Sequence, residues 1–382
     1  MKKIKKMVCL AASLALVASI AGCSSSNSKD TSDTSDTNNT TTEETTDTSS
    51  KPYIAVISKG FQHQFWQVVK KGAEDAAKEF NVDITFEGPA SESDINDQVN
   101  MVNAALAKKP QALAIAALDT KSLSSQLSDA QSQGIPVIGF DSGIPGAPDG
   151  QVAATASTDN YKAAQIPAQK LIEDEDILGK IKAATQDNPV AIGVVSQDAT
   201  SASLIDRTQG FIDEMKAKCE EIVGEGNVSV SGHETYNVAA TGDEIVKIVV
   251  NVPPTTSATD VQNAAQSVLS TNNLIAVYGS NQGGVDGILA ASNDGKDFDK
   301  ETGKYKDIVA VGFDSGKGQI TAVRNGWFLG SVTQDPYQIG YDAVALAYKA
   351  YKGETVSDTD TGSKWYNKDN MDDDDIKDLL YE

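Results

Sequence analysis

From Lys51 onward, short aliphatic runs alternate with stretches whose apolar residues recur at helical spacing. The runs at 53–58, 82–86, 112–116 and 136–140 predict strands, and amphipathic stretches near 63–79, 94–108 and 121–133 predict helices between them. Val68, Val69, Gly72, Ala73, Ala76 and Ala77 share one face of the first helix. The second half repeats the rhythm, with strands at 191–195, 228–232, 274–278, 308–312 and 328–332 and helices near 201–220, 260–270 and 281–292. Strand–helix–strand units of this length imply parallel sheets with right-handed crossovers. About 330 residues so arranged exceed one comfortable core, so an α/β fold of two Rossmann-like lobes is expected.

Three stretches break the pattern. Residues 234–260 run long for a connection and contain Pro253-Pro254, which predicts an insertion. Residues 293–307 carry Asp297, Asp299 and Glu301 at alternate positions but lack the turn glycine of a calcium loop, so a surface hairpin is expected. The segment 356–382, with Asp372 to Asp375 in a row, predicts a solvated acidic run.

The start of the chain has a different pattern. Lys2, Lys3, Lys5 and Lys6 precede an apolar run over 7–20, too short for a comfortable membrane span and the size of a secretory leader. It ends in Ser19-Ile20-Ala21-Gly22-Cys23, which resembles a bacterial lipobox. Cleavage of 1–22 and lipidation of Cys23 would hold the chain on the outer face of a bacterial cytoplasmic membrane. Residues 24–50 are nearly all Ser, Thr, Asp, Asn and Glu, so 23–50 is expected to be a lipidated, disordered tether. Such a tether spans roughly 30 Å root-mean-square.

Composition narrows the chemistry. The net charge is −22, and removing the four leader lysines would leave −26. That acidity opposes nucleic acid and anionic membrane surfaces, leaving the lipid as the expected membrane contact. Of three cysteines, Cys9 leaves with the leader and Cys23 carries lipid, so Cys219 has no disulfide partner and is expected half-buried in a helix. His63 and His233 have no evident catalytic partners, and no metal-spaced or phosphate-cradling motif appears. Neither enzyme nor cofactor nor metal is expected.

Ligands of open parallel sheets bind beyond the carboxyl ends of the strands. Those ends read Ser58 to Trp66, Glu87-Gly88-Pro89-Ala90-Ser91, Asp141-Ser142-Gly143, Gln197-Asp198-Ala199-Thr200, Asn281-Gln282-Gly283, Asp314-Ser315-Gly316 and Gln334-Asp335-Pro336. Carboxylates, amides and aromatic faces together are the chemistry of polyol recognition. Gly-Phe-Asp-Ser-Gly occurs at one strand end in each half, which points Asp141 and Asp314 at a shared pocket. Phe65 and Trp66 open a helix, where one ring of the pair is expected in the core.

Several segments, in order, resemble the ribose-binding-type periplasmic proteins of the type I solute-binding fold. They are Ile57-Ser58 with Phe65-Trp66, Pro136 to Asp141, Thr158-Asp159-Asn160, Arg207 to Phe211, Ala276 to Asn281, Val311 to Asp314 and Gln334 to Gly340. The resemblance covers roughly 52–355. It implies a hinge crossed three times, near 157–159, near Gln334 and after Gly353. The expected lobes are 51–157 with 335–355, and 158–334. Phe65 and Trp66 match the aromatic pair on one sugar face, Asp141 the first-lobe aspartate, and Asn281, Asp314 and Gln334 the second-lobe sugar ligands.

The departures alter the expectation. Where the family often has Asp-Arg, this chain has Asp141-Ser142; where it often has Arg-x-Arg, it has Ile205-Asp206-Arg207. The first loop carries Lys59, which in relatives binding rhamnose or autoinducer-2 faces the ligand. Arg and Lys present different geometry, so ribose itself is not implied. The expected ligand set is Lys59, Gln64, Phe65, Trp66, Asp141, Ser142, Arg207, Asn281, Asp314 and Gln334. The resemblance implies a monomeric binding protein that captures a monosaccharide or small polyol by lobe closure and hands it to an ABC permease. An autoinducer-2 or rhamnose-type receptor, or a ligand-presenting partner of a chemoreceptor or sensor kinase, is the alternative. A LacI-type regulator shares the core, but the leader and the acidity oppose it.

Overall fold

The computed structural model describes residues 51–61 and 63–381; the leader, Cys23 and the 24–50 stretch lie outside them. The first lobe begins β1 (Tyr53–Ile57), α1 (Gln64–Glu79), β2 (Asp83–Glu87), α2 (Ile95–Ala107), β3 (Ala112–Ile115), α3 (Ser124–Ser132), β4 (Val137–Phe140) and β5 (Ala154–Ser157). The second continues with α4 (Asn160–Glu173), α5 (Glu175–Ala183), β6 (Val190–Val195), α6 (Ala202–Val223), β7 (Val228–Ser231), β8 (Val246–Asn251) and α7 (Ala258–Leu269). It closes with β9 (Leu274–Gly279), α8 (Gln282–Ala290), β10 (Val309–Phe313), α9 (Lys317–Arg324) and β11 (Phe328–Gln334). Then follow α10 (Pro336–Tyr351), β12 (Thr359–Asp360), β13 (Ser363–Tyr366) and α11 (Asp374–Lys377). Among the described residues no helix is long and apolar enough to cross a membrane.

The first sheet runs β12-β5-β4-β3-β1-β2, all parallel, and the second β13-β11-β10-β9-β6-β8-β7, with only β13 antiparallel. Central strands such as Val-Ala-Ile-Gly-Val-Val at Val190–Val195 are buried along their whole length because helices cover both faces. On the first sheet, α1 and α10 cover one face and α2 and α3 the other. On the second, α4 and α6 oppose α7 to α9.

One helix pair in each lobe packs backbone to backbone. A Cβ on Gly72 would lie 1.9 Å from the Tyr337 carbonyl oxygen, one on Gly340 would lie 1.8 Å from that of Val69, and one on Gly210 would lie 2.2 Å from that of Tyr161. These contacts seat α1 on α10 and α6 on α4. They fix the start of α1, which carries Phe65 and Trp66, beside the chain crossing that leads into α10.

The crossings lie at 157–160, 334–336 and 360–363. Asp159 and Asp335 cap the helices that follow the first two, accepting from the backbone N–H of Lys162 and Gln338. The third crossing is laced to the first: Asp358 accepts from Thr155 N–H, Asp360 from Asp159 N–H, and Thr158 donates to the Gly362 carbonyl.

The structure corrects four expectations. Within 234–260, β8 is an integral strand between β6 and β7, its Val246, Ile248 and Val250 buried; the prolines merely follow it. Residues 293–307 form turns around a single 3-10 turn, not a hairpin; Phe298 is fully buried and the Asp299 carboxylate is used by the N–H groups of Glu301 and Thr302. The acidic 356–382 segment is no solvated run. It adds a strand to each sheet and buries Tyr366, Met371, Ile376 and Tyr381, because its apolar residues recur between the acids. Cys219 is fully rather than half buried, and burial pushes its thiol up to about 12.

Candidate ligand site

The loops after β1, β4, β9, β10 and β11 and the start of α6 converge between the lobes. Lys59, Phe65, Trp66, Asp141, Arg207, Asn281, Asp314 and Gln334 all line one tightly closed cleft there, of about 20 Å³. Gln64 and Ser142 do not line it but bridge the lobes. The Lys317 N–H donates to Gln64 Oε1 at 3.1 Å, and the Ser203 N–H to Ser142 Oγ at 3.3 Å.

Asp141 and Asp314 both adopt left-handed backbone, at φ 54 and φ 77. Such residues cost on the order of 1–3 kcal/mol of strain and persist only where the surroundings hold them. Each N–H is tied to the next strand, Asp141 to the Ala156 carbonyl at 2.9 Å and Asp314 to that of Val332 at 2.6 Å. The chain then turns sharply, so both carboxylates project from their sheets into the cleft.

The polar groups form a near-continuous lattice. Lys59 Nζ lies 3.0 Å from Asp141 Oδ2 and donates to Ser203 Oγ at 3.0 Å across the lobes. Burial acts to lower the Lys59 pKa, but the Asp141, Glu92 and Asp198 carboxylates hold it above its ordinary value. Asp314 Oδ1 accepts from Gln334 Nε2 at 2.6 Å, and its Oδ2 accepts from the Gln282 N–H at 2.8 Å. Arg207 stacks 4.0 Å from the Phe313 ring centroid, donates to Asn160 Oδ1 at 2.7 Å, and stands 3.5 Å from Asp314. Asn281 caps α8 through Oδ1 and donates from Nδ2 to Gln197 Oε1 at 2.8 Å.

Phe65 and Trp66 are both buried, edge to face at 5.0 Å, with Trp66 also edge-on to Phe140. Both rings serve the core and line the cleft. Glu92 was not among the expected ligands, although it lies one residue beyond the loop singled out after β2. It is buried, accepts from Trp66 Nε1 at 2.7 Å and, across the lobes, from Gln197 Nε2 at 2.9 Å. His63 Nε2 is 3.8 Å away. Burial acts to raise the Glu92 pKa, but His63, Lys59 and these two hydrogen bonds outweigh it and hold the carboxyl below the usual range. Gln197 and Gln282, strand-end residues outside the expected ligand set, also reach the site. Gln197 lies directly over Gly283, where a Cβ would stand 1.7 Å from its Oε1.

A polar cleft between two α/β lobes, joined by three crossings and walled by strand-end loops of both sheets, defines a two-lobed solute-binding protein. Residues 54–355 match the periplasmic binding protein domain, and the chain belongs to that family. It is 26% identical over 309 residues to the D-allose-binding periplasmic protein of Escherichia coli, covering 79% of this chain and 85% of that one. Among solved structures, a Brachyspira murdochii protein described as an ABC transporter, LacI family transcriptional regulator, superposes with a TM-score of 0.71 at 40% identity. That match covers 87% of this chain and 99% of the other. An ABC transporter solute-binding protein of Agrobacterium vitis, with D-fucose bound, superposes with a TM-score of 0.70 at 30% identity over 86% of this chain and 100% of its own.

Proposed function

We propose that this protein captures a neutral monosaccharide or small polyol between its lobes and presents it to an ABC permease at the outer face of the cytoplasmic membrane. It would act as a monomer held there by lipid on Cys23, and it would bind without catalysis. The observation that carries this is the opposition of the two left-handed aspartates, Asp141 and Asp314, across a cleft walled by Phe65 and Trp66. Buried Lys59 and Arg207 nearly offset the charges of Glu92, Asp141 and Asp314, which favours an uncharged ligand rich in hydroxyls. Relatives that hold D-fucose or bind D-allose support the same class.

Asp314, with Gln334 and Asn281 beside it, would take paired hydroxyls, while the aromatic rings cover the apolar C–H face. Ligand bound to one lobe would favour closure by its differential contact with the other. Lys59 in the cleft also favours a deoxysugar of the rhamnose type as a second reading, since it supplies a flexible donor where an arginine fork is absent.

The test is a melting screen against pentoses, hexoses, deoxysugars and inositols. A true ligand at 100 times its Kd adds roughly 2.7 kcal/mol and a clear upward shift. Shifts only with amino acids or peptides would overturn the substrate class. Loss of membrane association in Cys23→Ala is the matching test of the anchor.

A further inference from the structure

The family match ends at residue 355, yet the chain beyond it reaches the back of the ligand site. Residues 371–381 pack on the second lobe through Met371, Ile376 and Leu380. The acids that suggested a solvated run fasten this segment instead. Asp372 takes both guanidinium nitrogens of Arg324 at 3.0 Å each, and Asp375 pairs with Lys364 of β13.

This segment and β13 together make four hydrogen bonds to the Asp314 turn and the strand beside it. The Leu379 carbonyl accepts from Ser315 Oγ at 3.2 Å and from Thr333 Oγ1 at 2.9 Å, the neighbours of Asp314 and Gln334. Tyr381 Oη accepts from the Ser315 N–H at 3.2 Å. Tyr366 Oη donates to the Asp314 carbonyl at 3.0 Å. The peptide that follows the strained Asp314 is thus held at both its carbonyl and its N–H by groups outside the matched domain. On its other side the Tyr381 ring lies edge-on to Phe65, with centroids 6.1 Å apart, and belongs to the first-lobe core. One buried side chain therefore backs the carboxylate turn of one lobe and the aromatic wall of the other.

Resting on the sugar-binding role proposed above, we propose that Tyr381 is a positioning residue of the ligand site. Its hydroxyl sets the Asp314 turn, and its ring links that turn to Phe65 when the lobes are together. Neither role requires contact with the sugar.

The experiment is calorimetric titration of the full chain, as Tyr381→Phe and Tyr381→Ala, with the sugar giving the largest melting shift. Tyr381→Phe keeps the ring and loses the Ser315 contact, so its affinity should fall about threefold. Tyr381→Ala loses both and should fall about tenfold or more. A ring that only fills space would leave Tyr381→Phe at wild-type affinity, which overturns the proposal. If the alanine variant does not fold, Tyr381→Phe alone decides. If the wild-type chain shifts with no sugar at all, the sugar-binding role itself fails, whereas wild-type binding with unaffected variants removes only the role of Tyr381.

Discussion

The two Gly-Phe-Asp-Ser-Gly turns have the same sequence and the same left-handed aspartate, but they are held in different ways. In the second lobe the Asp314 carboxylate is committed within its own lobe to Gln334, the Gln282 N–H and Arg207, while Tyr366 and Ser331 donate to its carbonyl. In the first lobe, among the described residues, the Asp141 carboxylate pairs with Lys59, which itself reaches across to Ser203, and Ser142 likewise takes the Ser203 N–H. The second-lobe turn is organised before the lobes meet; the first-lobe turn completes its contacts by meeting. A ligand would therefore engage the Asp314 side first and be enclosed by the Asp141 side.

Removing the carboxylates should expose that asymmetry most strongly. Asp314→Ala strands Arg207, which is almost fully buried, and should cost on the order of 3–5 kcal/mol in stability as well as most sugar binding. Asp141→Ala leaves Lys59, which an open cleft can hydrate. It should cost about 2–3 kcal/mol of affinity and far less unliganded stability. Calorimetry with melting curves measures both quantities, and equal loss of stability in the two variants would erase the distinction.

A smaller effect should appear with pH. Glu92 joins the lobes through Gln197, and its carboxyl is held below the usual range. A depressed carboxyl adds stability that is fully present above the ordinary glutamate pKa and is lost as the pH falls through the lowered one. Melting temperature should therefore drop on acidification below about pH 4.5, and part of that drop should vanish in Glu92→Gln. An unchanged acid limb in the variant would remove Glu92 from the interlobe contact.

The smallest and most direct comparison uses the two serines. Ser315 Oγ is buried between Thr333 and Leu379, whereas Ser142 Oγ makes one longer bond to the other lobe. Ser315→Ala should lower unliganded stability by about 1–2 kcal/mol. Ser142→Ala should leave stability nearly unchanged and weaken ligand binding by up to about 1 kcal/mol. Reversal of that order in urea unfolding and titration would contradict the division between a prepared lobe and a completed one.

Both turns were legible in the sequence because a repeated pentapeptide after an apolar run marks equivalent strand ends. The alternation of runs also gave the parallel lobes, since buried central strands are apolar throughout. What was not legible depended on partners distant in the chain. Strand β5 reads Ala-Thr-Ala-Ser, too weakly apolar to announce itself, and gains its place from β4 and β12. Glu92 looks like an ordinary loop acid until His63, Lys59, Trp66 and Gln197, from two other loops and a helix start, surround it. The closing segment was masked by its own charge: four consecutive aspartates suggest solvent, but Met371 before them and Ile376 and Tyr381 after them are core.

The lacing of the hinge has a mechanical consequence. Thr361 N–H bonds to the Ser157 carbonyl, Thr158 to Gly362, and Asp360 to the backbone of Asp159, so the first and third crossings form one short ribbon. A ribbon of this kind resists sliding and splaying but still bends, which leaves rotation about a single pivot as the soft motion. Such a pivot makes each lobe a lever arm. A turn of a few degrees at the cleft becomes a proportionally larger displacement at the far rim, so occupancy at the centre is broadcast as a distance at the edge. A membrane partner could gauge that distance without ever touching the ligand.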